Sequence, residues 1–460
     1  MTVGAGNTSQ RGDLGELAAR WADRALPSEH LEVVVGRGVS TTVKAYEGAV
    51  ESFTSAESFG VGIRVLVERD GGMAQGFAHA GSFDEDVLSE TLQEARDNAQ
   101  FAEADPFAGL AIPDGMEPVV QELWNEGLVG FGTEAKIALA LELERATRAI
   151  SSRIKGVRVA SYGDSAGEVA MASTAGIRAA SRATSCWLSV SCMAGDASET
   201  HMGYGVDVGR DPGRLDVDAA AAEAAEQALR LIGARQVPSQ RLMLVLEPKL
   251  AATVLAIVGS MLGGEAVVKG RTPFADRLGH VIASPLLTLV DDPTDARSMG
   301  ADSFDGEGLA CRRNVLIDAG VLGGFLHNSY TARRAGVAST ASAVRGSRSL
   351  PGVGTQALAV TPGPLGYEEL LAGVDNGILV QTMSGLHSGV NTVSGDFSVG
   401  AEGLMIRNGA LAEPVREVTI ASTLPRLLLD LVAVGSQIEW LPGGSGSAAL
   451  VFDEVALSGS

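Results

Sequence analysis

The feature that most restricts the fold is a set of period-two apolar runs that occurs twice, each time closed by a helical stretch. The first set reads "LEVVVG", "STTVKAYEG", "AVESFTSAESFGVGIRVLVE" and "GGMAQGFAHA", with Asp70-Gly71-Gly72 as a hairpin turn between the last two. Side chains alternate across a strand, so each run presents one apolar face that a second layer must cover. A helix over Asp84–Phe101, capped by Asp84 or Ser82, follows. The second set reads "GVRVASYGD", "GEVAMASTAG", "IRAASRATSCWLSVSCMAG" and "ETHMGYGVDVG", and an Ala-rich helix over Val217–Ile232 closes it. Amphipathic stretches at Gly12–Leu26 and Thr133–Ile150 precede the two sets. In both, a hairpin ends in Gly plus an aromatic residue, Gly76-Phe77 and Gly203-Tyr204. This reads as a weak internal duplication of a sheet-plus-helix unit, the alternative being a coincidence of two hairpin–helix units.

From Ser239 the texture changes. "RLMLVLEP" is a buried strand and Pro248–Leu262 an apolar helix, after which short Gly-punctuated strands run to the end. Further helices are expected near Gly366–Ala372 and Pro425–Val434, and Asn408-Gly409 marks a hairpin. The fold class is therefore α+β. The domains expected are an N-terminal α+β domain over 1–238, with candidate units at about 12–130 and 131–238, and a β-rich C-terminal domain over 239–460. A length of 460 residues agrees with two or three domains.

Charge excludes some functions. The formal net charge is −21, so a sequence-independent grip on nucleic acid needs a local basic patch. The best candidate patch is Arg312, Arg313, Arg333, Arg334, Arg345 and Arg348, for which pairing with local carboxylates and carbonyls is the competing reading. Cys186 and Cys192 lie an even number of residues apart in an alternating run and read as small buried hydrophobes; with Cys311 they make a sparse, odd set that suits a reducing compartment. "MTVGAGNTSQRGDLGE" has no apolar signal core, and the longest uncharged apolar run, Leu250–Gly264, is too short to span a bilayer. The expectation is a cytoplasmic protein that binds neither nucleic acid nor membrane.

Candidate chemistry is thin. The six histidines, His30, His79, His201, His280, His327 and His387, include no pair one helical turn apart, which a helical metal site needs for its lone pairs to converge. There is no phosphate loop of the Gly-x4-Gly-Lys-Ser/Thr type. The densest polar stretch is "FLHNSYTARRAG" (Phe325–Gly336). Its spacing predicts a strand at Gly324–Leu326 and a helix near Tyr330–Gly336, with Asn328 or Ser329 as N-cap and Gly336 as the C′ residue.

"SFDGEG", "VLIDAGVLGGFLHNSYTARRAG" and "SGDFSVGAEGLMIRNGALAEPVREVTIA", with "YEGAVESFTSAESFGVGIRVLV" near the start, resemble the signature segments of the TldD/PmbA family, once called modulators of DNA gyrase. The resemblance covers nearly the whole chain. It implies a cytosolic zinc peptidase of two related subunits. The TldD kind carries a helical His-Glu-x-x-x-His motif and a third ligand, a cysteine near the C-terminus; the TldE (PmbA) kind lacks them and completes the cleft. In such an enzyme the metal activates water and the motif glutamate is the base. Aligned through "FADRLGHVIASPLLTLVDD", the motif falls in "VGSMLGGEAV" (Val258–Val267). Gly259 and Gly264 then stand for the two histidines and Ser260 for the glutamate, while the tail "LPGGSGSAALVFDEVALSG" has no cysteine.

The resemblance thus implies a TldE-like subunit with no catalytic residue, metal or cofactor of its own. Its partner is a zinc-bearing TldD-type subunit in a heterodimer, or a second copy of itself, and the substrate is unfolded peptide. Candidates to line the cleft are His327, Asn328, Ser329, Tyr330, Arg333, Arg334 and His387; a contact with the partner subunit and a purely structural role are the other readings of this stretch. Two alternatives stay open: a stand-alone hydrolase or lyase using Glu265, His280, His327, His387 or Cys311, and a non-enzymatic regulator of gyrase.

Overall fold

A computed structural model describes residues 13–196 and 199–459. The first twelve residues, read above as lacking a signal core, lie outside the described residues. The chain is α+β. Its N-terminal part runs α1 (Leu14–Ala22), β1 (Glu29–Tyr46), β2 (Ala49–Arg69), β3 (Gly72–Ala80), α2 (Glu85–Phe101), β4 (Ala104–Asp105), α3 (Glu126–Val129), α4 (Thr133–Ala149), β5 (Ile154–Ser173), β6 (Arg178–Gly195), β7 (Thr200–Gly209) and α5 (Val217–Arg230).

All seven strands form one antiparallel sheet in the order β4-β3-β2-β1-β5-β6-β7. The runs "LEVVVG" and "STTVKAYEG" join across Gly36–Gly38 into a single strand, because β1 pairs β5 without a break from Glu32 to Ala45. About that central pair the order α-β-β-β-α occurs on each side, α1-β1-β2-β3-α2 and α4-β5-β6-β7-α5. The same contact recurs in both: a Cβ on Gly76 would lie 2.0 Å from the Ala95 carbonyl of α2, and one on Gly203 1.9 Å from the Ala224 carbonyl of α5. Glycine there lets each helix lie directly on its hairpin. Leu31, Val33, Val35 and Ile63 pack under α1 and α2, and Tyr162, Leu188 and Val190 under α4 and α5, with Cys186 and Cys192 on that same buried face.

The C-terminal part runs β8 (Gln240–Leu246), α6 (Pro248–Met261), α7 (Gly264–Val268), β9 (Leu289–Asp291), β10 (Asn314–Asp318), β11 (Val321–Leu322), α8 (Ser329–Ala335), β12 (Ala343–Val344), β13 (Gly352–Val353), β14 (Leu358–Val360), α9 (Tyr367–Ala372), β15 (Asn376–Ser384), α10 (Leu386–Gly389), β16 (Asp396–Arg407), β17 (Ala410–Thr423), α11 (Leu424–Leu429), β18 (Leu431–Val434), β19 (Glu439–Trp440), β20 (Gly446–Ser447) and β21 (Leu450–Ser458). One sheet has the order β17-β16-β15-β8-β21-β18, and β17 also pairs β21, so five of its strands close on themselves. A second sheet of short strands runs β11-β10-β9-β14-β20-β19. The apolar face of α6 (Val254, Leu255, Val258, Met261) joins Leu244, Ile378 and Phe397 of the first sheet to Leu289, Leu316 and Leu358 of the second in one core.

Two expectations are corrected here. The helix expected over Pro425–Val434 stops at Leu429, where Asp430 ends it; Leu431–Val434 is strand β18, drawn into register with Leu450–Phe452 of β21. Gly324–Leu326 is not a strand. Leu326 makes a single bridge to Gly263, its N–H donating to the Leu262 carbonyl (3.0 Å) and its carbonyl accepting from Gly264 (2.6 Å). Among the described residues no helix is long and apolar enough to cross a membrane.

Candidate functional site

Helix α6 begins at Pro248, pre-set for the first helical position, after Glu247 at the N-cap. Its buried stripe anchors it in the core, and its opposite stripe of Thr253, Ala256, Ile257 and Ser260 faces a cavity. The helix ends at Met261, and Gly264 opens α7 after a turn at Leu262-Gly263. Gly259 and Ser260 therefore sit on one helix and Gly264 on the next. A Cβ on Gly259 would lie 2.8 Å from the methyl carbons of Leu358 and Thr355; one on Gly264 would lie 2.3 Å from Nδ1 of His327. Ser260 is exposed and its hydroxyl donates to the Ile257 carbonyl (2.6 Å). In the C-terminal tail Ser447 is buried and its hydroxyl donates to the Ala448 carbonyl (2.8 Å).

The stretch from His327 to Arg333 directs its polar atoms into the protein. His327 is buried, with Nδ1 3.1 Å from the Thr331 hydroxyl, and burial holds its pKa below the ordinary histidine value. Asn328 caps α8 by accepting from the Thr331 N–H (2.9 Å), and its amide donates to the carbonyls of Pro351 (3.1 Å) and Gly352 (3.3 Å). The Ser329 N–H donates to Glu307 Oε2 (2.8 Å). Tyr330 and Arg333 cross to the N-terminal part: the phenol donates to Asp105 (2.9 Å), and the guanidinium donates to the carbonyls of Phe107 (2.7 Å), Gly109 (2.9 Å) and Leu110 (3.2 Å). Arg334 and His387 are exposed, His387 on α10. Of the candidate arginine patch, Arg312 pairs with Asp114, Arg313 with Asp292 and Arg345 with Glu32.

A buried charge network lies where the sheet meets the C-terminal part. Glu32 of β1 pairs with Arg345 and lies 3.8 Å from Arg64, whose Nη2 donates to the Gly109 carbonyl (3.0 Å). Beside it, burial raises the carboxyl pKa of Glu307, with the Glu32 carboxylate adding to the shift. Of the residues weighed for an independent active site, Glu265 pairs with Lys269, His280 with the Leu278 carbonyl, and Cys311 contacts Gln356 at 3.9 Å. Burial raises the Cys311 thiol well above the ordinary cysteine range, which opposes a nucleophilic role. Among the described residues no hydrogen bond joins any two of these groups.

A concavity of about 1610 Å³ lies elsewhere. Its walls are α5 and β7 of the N-terminal part, the solvent-side stripe of α6, the end of β15 and the segment 435–445. Lys249 spans it to Glu223, at 2.6 and 2.7 Å from the two carboxylate oxygens, tying the two parts of the chain together. Of the positions singled out in the sequence, Ser260 lines this cavity, and the cleft candidates from His327 to Arg334 and His387 do not. Sequence reasoning missed Glu247, Tyr367, Gln381 and Glu439, which do. The one available signal was a lone Gln in the apolar run "NGILVQTMS".

Three family models match successive parts of the chain: PmbA/TldA metallopeptidase domain 1 over residues 31–99, the central domain over 129–232 and the C-terminal domain over 239–459. Metalloprotease PmbA of Escherichia coli O157:H7 is 26% identical over 414 residues, covering 90% of this chain and 88% of the relative. A metalloprotease TldD homologue of Haemophilus influenzae is 26% identical over 426 residues, 87% of each chain. The crystal structure of TldE from Thermococcus kodakarensis shares the fold, with a TM-score of 0.88 at 21% identity over 97% of this chain and all of the other. These likenesses define the class as a metallopeptidase family. It belongs to the PmbA/TldD family.

That family implies zinc, and the residues here do not fit it. Positions 259, 260 and 264 offer no side-chain donor beyond one hydroxyl, and the spaces beside the two glycines are filled by Leu358, Thr355 and His327. Among the described residues no three His, Cys, Asp or Glu side chains come together as a metal would require.

Proposed function

We propose that this chain is the zinc-free, TldE-type subunit of a cytoplasmic two-subunit metallopeptidase. It pairs with a TldD-type subunit, and the large cavity helps to admit and hold unfolded peptide that is hydrolysed at the partner's zinc. The observation that carries this reading is the state of the three motif positions: Gly259, Ser260 and Gly264 supply neither ligand nor carboxylate base, and the first and last are closed off by neighbouring side chains. The mixed lining of the cavity, with an apolar helix stripe beside charged and amide groups, suits an extended peptide. Three free, buried cysteines agree with a reducing compartment.

Metal content tests it. The chain purified alone is expected to hold no stoichiometric zinc and to leave unfolded peptide intact. Co-expressed with a TldD-type subunit, it is expected to co-purify in a complex with one zinc and peptidase activity. One zinc per chain in the isolated protein, or turnover without a partner, overturns the assignment.

A further inference from the structure

The carboxylates of the large cavity outnumber the cations that answer them. Glu223 is neutralised by Lys249, and Glu226 by Arg230. Asp207, Glu247 and Glu439 also line the cavity, and among the described residues none of them has an ion pair. Among the described residues the Glu247 carboxylate accepts a hydrogen bond from the Tyr367 hydroxyl alone (3.0 Å), and burial raises the carboxyl pKa of Glu247 and of Glu439. A group of acids alone would say little about a ligand.

The second observation is Gln381. This side chain is 5% exposed, and among the described residues neither its amide oxygen nor its amide nitrogen has a hydrogen-bond partner. Buried amides are ordinarily satisfied on both atoms, so the pair of unmet groups asks for a partner that both donates and accepts. A β-bulge between Val380 and Thr382 sets Gln381 outside the regular ladder, a device that re-aims a side chain beside a site. The parallel pairing of β15 with β8 ends at Val380 opposite Leu246, so Gln381 is the next residue of β15 and Glu247 the first residue beyond β8. Both line the cavity at the carboxyl end of that parallel pair.

We propose that the cavity binds a peptide segment bearing a basic side chain: the Gln381 amide pairs with both the N–H and the C=O of its backbone, and Glu247 and Glu439 receive the cation. The proposal deepens the subunit reading and rests on it for the peptide nature of the ligand. Lining by Ile257 and Met383 accommodates the aliphatic stem of a lysine or arginine. The chain on its own holds the segment; no partner residue is needed.

Calorimetric titration of the isolated full chain tests this with three probes: an acetylated alanine pentapeptide amide with a central lysine, the same peptide with a central glutamate, and spermidine. The lysine peptide is expected to bind at least about tenfold more tightly than the glutamate peptide. Gln381→Leu is expected to weaken the lysine peptide about tenfold and leave spermidine unchanged, whereas Glu247→Gln and Glu439→Gln weaken both. Gln381→Met, closer in shape, serves if the leucine variant does not fold. Equal binding of the two peptides, spermidine binding as tightly as the lysine peptide, an unchanged affinity in both Gln381 variants, or no binding of any probe overturns the proposal. Zinc content and co-purification with a TldD-type subunit are read without any of these probes, so failure of the ligand and failure of the subunit assignment are told apart.

Discussion

A Cβ on Gly264 would stand 2.3 Å from Nδ1 of His327 and 2.7 Å from the Leu326 carbonyl oxygen. The Gly264 N–H already donates to that carbonyl at 2.6 Å, so the two segments meet backbone to backbone. Any side chain at 264 must therefore displace the buried imidazole. Gly264→Ala is expected to destabilise the protein by about 2–4 kcal/mol in urea unfolding. His327→Ala in the same chain should recover part of that loss, giving a favourable coupling in the double-mutant cycle. Strict additivity would mean that the imidazole is not what closes the site.

Arg333 holds the N-terminal part through three backbone carbonyls within one short loop, at Phe107, Gly109 and Leu110. A planar guanidinium can serve three acceptors at once, and an ammonium on a flexible stem cannot match that geometry. Arg333→Ala is expected to cost about 2–3 kcal/mol, because half-buried carbonyls lose their donors. Arg333→Lys should recover less than half. Limited proteolysis of the segment 105–111 provides the local readout, with faster cleavage in both variants. Unchanged cleavage would show that other contacts fix the loop.

Much of this architecture is legible in the residues themselves. Asp70-Gly71 and Asn408-Gly409 both adopt positive φ, as the tight hairpins they signal require. Asn328 caps α8, and Gly336 ends it in the left-handed conformation. Other features depended on partners far along the chain. Gly36 and Gly38 look like strand ends, yet β5 on one side and β2 on the other carry β1 straight through them. Leu431–Val434 has a helical look, but pairing with β21 makes it a strand. The cavity was hidden because Glu223, Glu247, Gln381 and Glu439 come from four separate segments that only the tertiary fold assembles. Local sequence around His327 suggested an open polar site, and nothing local could show that Thr340 and Glu307 would satisfy the backbone N–H groups of His327 and Ser329 from inside.

Stability is expected to fall with rising pH through Asp305. This carboxylate accepts N–H bonds from Glu307 (2.9 Å), Leu309 (3.0 Å) and Ala343 (3.0 Å), all of which favour the charged form. Burial, and then the Glu307 carboxylate, outweigh them and push the carboxyl from 3.8 up to about 7. The folded chain thus keeps a proton that the unfolded chain releases. Its contribution is fully present below about pH 4 and is lost as pH rises toward 7, by at most about 1.4 kcal/mol per pH unit. Asp305→Asn lowers stability at every pH, since its amide turns a donor toward one of the three N–H groups. The loss of melting temperature between about pH 4.5 and 7.5 should nonetheless be smaller in the variant than in the parent chain. Equal slopes would show that Asp305 ionises normally in the folded state.

The paired glycines of the two N-terminal units give the sharpest test of their equivalence. A Cβ on Gly76 would lie 2.0 Å from the Ala95 carbonyl and 2.3 Å from the Ala99 nitrogen; on Gly203 it would lie 1.9 Å from the Ala224 carbonyl and 2.8 Å from the Ala228 nitrogen. In each case the obstacle is helix backbone, which no change of rotamer can clear, so the helix must lift from its hairpin. Gly76→Ala and Gly203→Ala are each expected to cost about 2–4 kcal/mol. Hydrogen exchange should rise over α2 in the first variant and over α5 in the second, and the two losses should add to within about 0.5 kcal/mol because the sites share no partner. Gly203→Ala should also disturb the large cavity, one wall of which is α5, and so weaken any ligand bound there; Gly76→Ala should not. Protection lost across both helices in either single variant would mean that the shared sheet makes the two units one cooperative body.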